Sequence, residues 1–79
     1  MWYFTIKQSD LSNKQYQQMQ KYASITEVEV FNEPYYNFCV FQIAKEIYKE
    51  VMDYMDMEGV SYSLTSDKPK RDDLLDSMQ

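Results

Sequence analysis

The sequence predicts a small, single-domain α+β protein in which four β-strands alternate with two amphipathic helices. Three observations support this fold class: short runs that alternate apolar and polar residues, two stretches with apolar residues at helical spacing, and few chain-breaking residues. The chain has 79 residues with one glycine and two prolines, so long loops are not expected. Aromatic residues make up 16% of the chain, and such large side chains help a short chain to build a core.

The first two elements carry clear local signals. Residues 2–7 alternate between two faces, which predicts a strand. One face of this strand is apolar throughout and should point to the core: Trp2, Phe4 and Ile6. Ser12 followed by Gln15 forms a capping-box pattern, which marks the start of a helix that runs to about Ala23.

The middle of the chain predicts a β-hairpin. Residues 25–31 alternate, with Val28 and Val30 toward the core, and residues 32–34 (Asn-Glu-Pro) are typical of a turn. The aromatic-rich residues 36–42 then predict the return strand. Because both faces of this run are apolar and no cap separates it from the next helix, one long helix starting near Asn37 stays open as an alternative.

The second helix is predicted over residues 44–57 from an apolar stripe at helical spacing: Ala44, Ile47, Tyr48, Val51 and Met55. Gly59 follows where a left-handed helix cap is needed, and Val60 should pack back on Met55. Residues 60–65 alternate and predict the last strand. Residues 66–79 are charged and contain a proline, which predicts a flexible charged tail after a domain of residues 1–65.

The order strand, helix, strand, strand, helix, strand over residues 2–65 resembles the ferredoxin-like βαββαβ arrangement. This resemblance implies a four-stranded antiparallel sheet with both helices on one face. It rests on element order alone and carries no family motif, and the fold hosts many unrelated functions.

The composition argues against most chemistry. The chain has no histidine, one cysteine and one glycine. It therefore lacks the commonest general base, a cysteine set for structural zinc and a glycine-rich phosphate loop. We expect no catalytic residues, no metal and no cofactor, and the chain is predicted not to be an enzyme. The single Cys39 should be a buried hydrophobic residue.

Charge and hydropathy limit the partners. The net charge is −5, from 8 basic and 13 acidic residues, which disfavours direct binding to nucleic acid and suits a basic protein partner. No apolar run approaches the ~20 residues that a membrane span needs, so no membrane partner is expected. The first residues contain no basic leader, and the lone cysteine fits a reducing compartment, so we expect a cytoplasmic protein.

Two candidate partner-binding surfaces follow from these elements. The first is the sheet face opposite the helices, which should carry an aromatic patch beside two carboxylates: Glu27, Glu29, Phe31, Tyr36 and Phe38. Exposed aromatic clusters mark interfaces, although a homodimer or the C-terminal tail could bury the same patch. The assignment depends on the hairpin register, since a slip of one residue exchanges the two faces of residues 36–42.

The second surface is a row of carboxylates on the second helix: Glu46, Glu50 and Asp53. A rigid acidic row can imitate the phosphates of nucleic acid and occupy the binding site of a nucleic-acid-binding protein. The alternative is an ordinary solvated helix face.

The function predicted from these features is a non-catalytic protein-binding module. The composition resembles that of small accessory proteins of phages and mobile elements, including inhibitors that dock on a host protein. The alternative is a small ligand-binding or regulatory ferredoxin-like module that acts as a homodimer.

Overall fold

The computed structural model describes residues 1–78 and confirms a small α+β fold with a four-stranded antiparallel sheet. The elements in chain order are β1 (Trp2–Lys7), α1 (Asn13–Tyr22), β2 (Ile25–Glu29), β3 (Phe38–Ile43), α2 (Tyr48–Glu58), β4 (Ser63–Thr65) and α3 (Arg71–Asp76). The strand order in the sheet is β2-β3-β1-β4, and a 3₁₀ turn (Gln8–Asp10) joins β1 to α1. No helix in this part of the chain is long and apolar enough to cross a membrane.

The capping box at α1 is present as predicted. The Oγ of Ser12 accepts a hydrogen bond from the Gln15 N–H at 3.1 Å, and Gln15 Oε1 accepts one from the Ser12 N–H at 2.9 Å. These bonds satisfy two backbone N–H groups that the first helical turn leaves unpaired. The start of α1 is therefore fixed by local sequence.

The open question about residues 36–42 is answered in favour of a strand, which begins two residues later and ends one residue later than predicted, at Phe38–Ile43. β3 pairs with β1 on one side and with β2 on the other, in a register that places Phe41 opposite Phe4. The long-helix alternative is wrong. Because β3 is an inner strand, its two faces alternate between the helices (Cys39, Phe41) and the opposite layer (Val40), and all three side chains are buried. Burial on both sides explains why the run is apolar on both faces.

Helix α2 begins four residues later and ends one residue later than predicted. Residues 45–47 form a turn, and Ile47 at the cap offers no side-chain hydrogen bond, so no local signal fixed this start. At the other end Gly59 has φ 69°, in the left-handed region that favours glycine. The Val60 N–H then donates to the Met55 carbonyl at 3.0 Å, and Val60 packs into the core.

The main core lies between α1, α2 and one face of the sheet. Its strand residues come from β1 and β3, and the residues buried there are Phe4, Ile6, Met19, Cys39, Phe41, Ile43, Val51, Met55 and Val60. Aromatic pairs border it, including Trp2 with Tyr48 at 5.0 Å between ring centroids. Burial raises the pKa of the Cys39 thiol, in keeping with its place among apolar side chains.

Two valines predicted for the core lie outside it. Val28 is opposite Cys39 and so shares the helix-facing side of the sheet, but β2 is an edge strand and Val28 is 38% exposed. Val30 follows the end of β2 and is 59% exposed. Alternation gives the face of a strand residue, whereas its burial depends on whether a helix reaches that edge.

The flexible tail predicted for residues 66–79 is not confirmed in residues 66–78, and Gln79 lies outside the described residues. Instead, α3 lies on the sheet face opposite α1 and α2, where Leu74 is 5% exposed. The Asp73 carboxylate accepts a hydrogen bond from the Lys70 N–H at 3.2 Å and so caps this short helix. The sheet is therefore covered on both faces. Helices α1 and α2 cover one face, and the six-residue helix α3 covers part of the other.

The register of β3 predicts which substitutions destabilise the fold. Phe41→Ala should lower the free energy of unfolding by about 3–5 kcal/mol, because it opens a cavity in the main core. Val30→Ala removes a smaller group at an exposed site and should cost less than about 0.5 kcal/mol. Urea denaturation followed by circular dichroism measures both. Equal losses in the two variants would show that the register of the hairpin is wrong.

Candidate protein-binding surfaces

The sheet face opposite α1 and α2, here called the rear face, brings together several of the predicted binding residues. Strand pairing sets Glu27 and Thr5 each opposite Val40, and Glu29 opposite Phe38. Residues directly opposite each other in a sheet point to the same side. The rear face therefore combines two carboxylates with an apolar floor: Thr5, Glu27, Glu29, Phe38 and Val40.

The carboxylates of the rear face are paired with the C-terminal segment, residues 66–78. Lys68 Nζ lies 2.7 Å from Glu27 Oε1, and Arg71 Nη1 lies 2.9 Å from Glu29 Oε2. Arg71 Nη2 also donates to the Val30 carbonyl at 2.6 Å. The hydrogen bond to Glu27 raises the pKa of Lys68, as expected for an ammonium group beside a carboxylate.

The predicted aromatic residues have three different environments. The Arg71 guanidinium lies 4.2 Å from the centre of the Phe31 ring, in cation–π geometry. Phe38 is partly buried beside α3. Tyr36 is 49% exposed, with Lys7 Nζ at 3.7 Å from its ring centre. The C-terminal segment thus contacts the whole predicted patch, and at its margin Met78 Sδ accepts a hydrogen bond from the Tyr36 N–H at 3.1 Å while the Tyr36 ring stays exposed.

A cavity of about 180 Å³ separates part of the rear face from α3. Its walls come from the sheet and the C-terminal segment: Thr5, Phe38, Ser63, Thr65, Pro69, Asp73, Leu74 and Ser77. The Thr5 residue is 7% exposed, and its hydroxyl oxygen has no hydrogen-bond partner within residues 1–78. A buried polar atom without a partner is uncommon in folded proteins.

The acidic row is arranged differently from the prediction. Glu46 lies in the turn before α2, whereas Glu50 and Asp53 are exposed on the helix, with Asp56 one turn further on. Within residues 1–78, the ion pairs are those of Lys68 with Glu27 and of Arg71 with Glu29. The carboxylates of α2 therefore have no intramolecular cation in this part of the chain.

A groove of about 530 Å³ runs beside the acidic face of α2. Its lining combines stacked aromatic rings, apolar side chains, two carboxylates and one lysine: Trp2, Tyr48, Lys49, Met52, Asp53, Asp56 and Leu64. This groove was not expected from the sequence, because Trp2 and Tyr48 lie on the apolar faces that predict core positions. Their partial exposure depends on how the start of β1, α2 and β4 meet at one edge of the molecule, and the sequence carries no local signal for that.

The described side chains give no sign of a metal centre. Within residues 1–78, no three or more Cys, Asp or Glu side chains gather closely enough to hold a metal ion.

Comparisons with protein-family models, with curated proteins and with solved structures found no match. The function is therefore inferred from the two surfaces themselves.

The position of Asp56 on α2 can be tested through its contact with Tyr62. The Tyr62 hydroxyl donates a hydrogen bond to Asp56 Oδ1 at 3.5 Å. Burial, and then the charges of Asp56 and Asp53, raise the pKa of Tyr62. The folded protein therefore holds this proton to higher pH than the unfolded chain does. This contribution to stability is complete at neutral pH and is lost as the pH rises through the folded pKa.

We expect Asp56→Asn to lower the pKa of Tyr62 toward its ordinary value, with the part caused by burial remaining. Tyr54 is the internal control, because burial and the charge of Glu58 raise its pKa without Asp56. Titration of ¹³C-labelled tyrosine rings by NMR resolves the two residues. An unchanged Tyr62, or equal shifts of both tyrosines, would contradict the contact with Asp56.

Proposed function

We propose that the chain is a non-catalytic protein-binding module that docks on a basic surface of another protein through α2. The observation that carries this proposal is the unequal pairing of the carboxylates. Those of the rear face have cations from the same chain, whereas Glu50, Asp53 and Asp56 have none within residues 1–78. Helix α2 carries four carboxylates against the single Lys49, so it supplies three of the five net negative charges on an exposed surface, which suits a positively charged partner.

The neighbouring groove adds specificity to this charge. The stacked rings of Trp2 and Tyr48 form an aromatic wall, and Asp53 and Asp56 place carboxylates at the same groove. This combination fits a lysine or arginine side chain, whose stem packs on the rings while its cation meets a carboxylate. A basic side chain of the partner would serve as the anchor of the interface.

A nucleic-acid-binding protein is the partner that this surface favours. Glu50, Asp53 and Asp56 follow one another at three-residue intervals, so they advance about 4.5 Å along the helix axis at each step. That rise is of the order of the ~3.4 Å axial spacing of phosphates in one DNA strand. We propose that the module inhibits such a partner in the manner of the phage- and mobile-element-type inhibitors considered above, and that it acts in the cytoplasm.

We also infer that residues 2–65 have the ferredoxin-like arrangement. One helix connects β1 to β2 and another connects β3 to β4, and both helices share one core against the same sheet face. Helix α3 on the opposite face would be an addition to that arrangement. In several folds of this kind the sheet face is the binding surface, whereas here α3 occupies it, which directs the proposal to α2.

The proposal is tested by affinity capture from native lysate with tagged full-length protein. Glu50→Lys with Asp53→Lys should reduce recovery of the partner about tenfold or more, because like charges then face each other across the interface. Asp10→Lys with Glu33→Lys changes the net charge equally at exposed sites away from α2 and should leave recovery unchanged. Binding of the wild type should weaken steeply with salt.

Equal losses in the two double variants would show that the interaction follows net charge alone and would remove α2 from the account. Recovery that is unaffected by both would do the same. If no partner is captured and light scattering finds a dimer, the homodimeric ligand-binding alternative takes the place of this proposal.

A further inference from the structure

We propose that the rear face is a binding site for a segment of another protein that presents two spaced cations and a leucine, and that residues 68–78 occupy it as an intramolecular competitor. This site is separate from the acidic face of α2. The proposal for it does not depend on whether α2 docks on a partner. The C-terminal segment defines the chemistry of the ligand: Lys68, Arg71 and Leu74, three residues apart, each meet a different part of the rear face.

Charge complementarity is the first support. Glu27 and Glu29 alternate with Val28 on an edge strand, so their carboxylates project from one face about 7 Å apart. Two cations at a similar spacing satisfy both carboxylates at once, as Lys68 and Arg71 do. Phe31 adds an aromatic ring beneath the guanidinium. An arginine of a partner would find a carboxylate, a backbone carbonyl and a ring in one place.

The incomplete fit of α3 is the second support. Leu74 is the residue that α3 buries, yet a cavity of about 180 Å³ remains beside it. The Thr5 hydroxyl lines this cavity, with 7% of the residue exposed and no hydrogen-bond partner for its oxygen within residues 1–78. A segment that brings a polar group to Thr5 and fills the cavity would fit the rear face better than α3 does.

The modest attachment of α3 is the third support. The helix has six residues, too few to be stable by itself. Two hydrogen bonds to the backbone of residues 30 and 36 and two ion pairs hold the segment. The ion pairs are exposed, with 52% and 53% of the Lys68 and Arg71 side chains accessible, so solvent and salt weaken them. Local opening of residues 66–78 therefore needs far less than unfolding of the sheet, and it uncovers the acidic and aromatic rear face.

The test uses full-length protein and a fluorescent synthetic peptide with the sequence of residues 66–78 as the probe. A released variant, Lys68→Ala with Arg71→Ala and Leu74→Ala, removes the contacts of the competitor. It should bind the peptide at least about tenfold more tightly than the wild type, in which the tethered segment competes at a high effective concentration. A peptide with Lys68→Glu and Arg71→Glu should bind neither protein.

Two further substitutions locate the site. In the released variant, Glu27→Lys with Glu29→Lys should weaken peptide binding about tenfold or more. In the same variant, Glu50→Lys with Asp53→Lys should leave peptide binding unchanged. This result would distinguish a site on the rear face from a site on α2. Hydrogen exchange of the wild type should be much faster in residues 71–78 than in β1 and β3. If the released variant does not fold, the single variant Arg71→Glu should still bind the peptide more tightly than the wild type. Its amides in residues 71–78 should also exchange hydrogen faster than those of the wild type.

Several outcomes would overturn the proposal. Equal affinity of the wild type and the folded released variant would place the peptide elsewhere, and so would insensitivity to Glu27→Lys with Glu29→Lys. Exchange of the α3 amides as slow as that of β1 would make α3 a permanent part of the fold. A released variant that forms a stable dimer and ignores the peptide would identify a second copy of the chain as the occupant.

Discussion

The structure depends on burying β3 from both sides. This strand is paired along both edges, and it directs Cys39 and Phe41 toward the helices and Val40 toward the rear face. A four-stranded sheet with helices on one side alone would leave Val40 in water. Helix α3 supplies the second layer, and a segment with the composition of a flexible tail is thereby ordered. The inner strand thus sets the positions of both helical layers, and through them of both candidate surfaces.

The C-terminal segment that covers the rear face also determines which carboxylates of the molecule are paired and which are not. The acidic residues outnumber the basic ones by five, and the C-terminal segment uses Lys68 and Arg71 to pair the carboxylates of β2. The remaining negative charge faces solvent, much of it on α2. One surface is therefore neutralised within the molecule and the other is left for a partner. Release of the C-terminal segment would change this distribution by exposing the two carboxylates and the two cations together.

The aromatic residues serve the packing of the small fold as much as its surfaces. Tyr16 meets Phe41 at 5.9 Å and Phe4 meets Tyr62 at 5.2 Å, which joins α1 and the segment before β4 to the sheet. Offset and edge-on ring pairs stabilise beyond the area that they bury. The stacked Trp2 and Tyr48 do the same at the margin of the core, but they remain partly exposed and so also line a groove. Trp2 and Tyr48 therefore stabilise the core and also contribute to a candidate binding surface.

The sequence by itself determined the α+β class, the order of the first six elements, the capping box at Ser12 and the cap at Gly59, because each depends on residues a few positions apart. It also placed Glu27 and Glu29 on one face of a strand, since strand alternation is local, whereas the position of Phe38 beside them depended on the pairing of β2 with β3. Only the tertiary structure decided that Val28 and Val30 are exposed, that Glu46 precedes α2, that Trp2 lines a groove and that α3 covers the rear face. These outcomes depend on which layers meet across the sheet, and contacts between residues some forty positions apart, such as Lys68 with Glu27, leave no periodic signal in the chain.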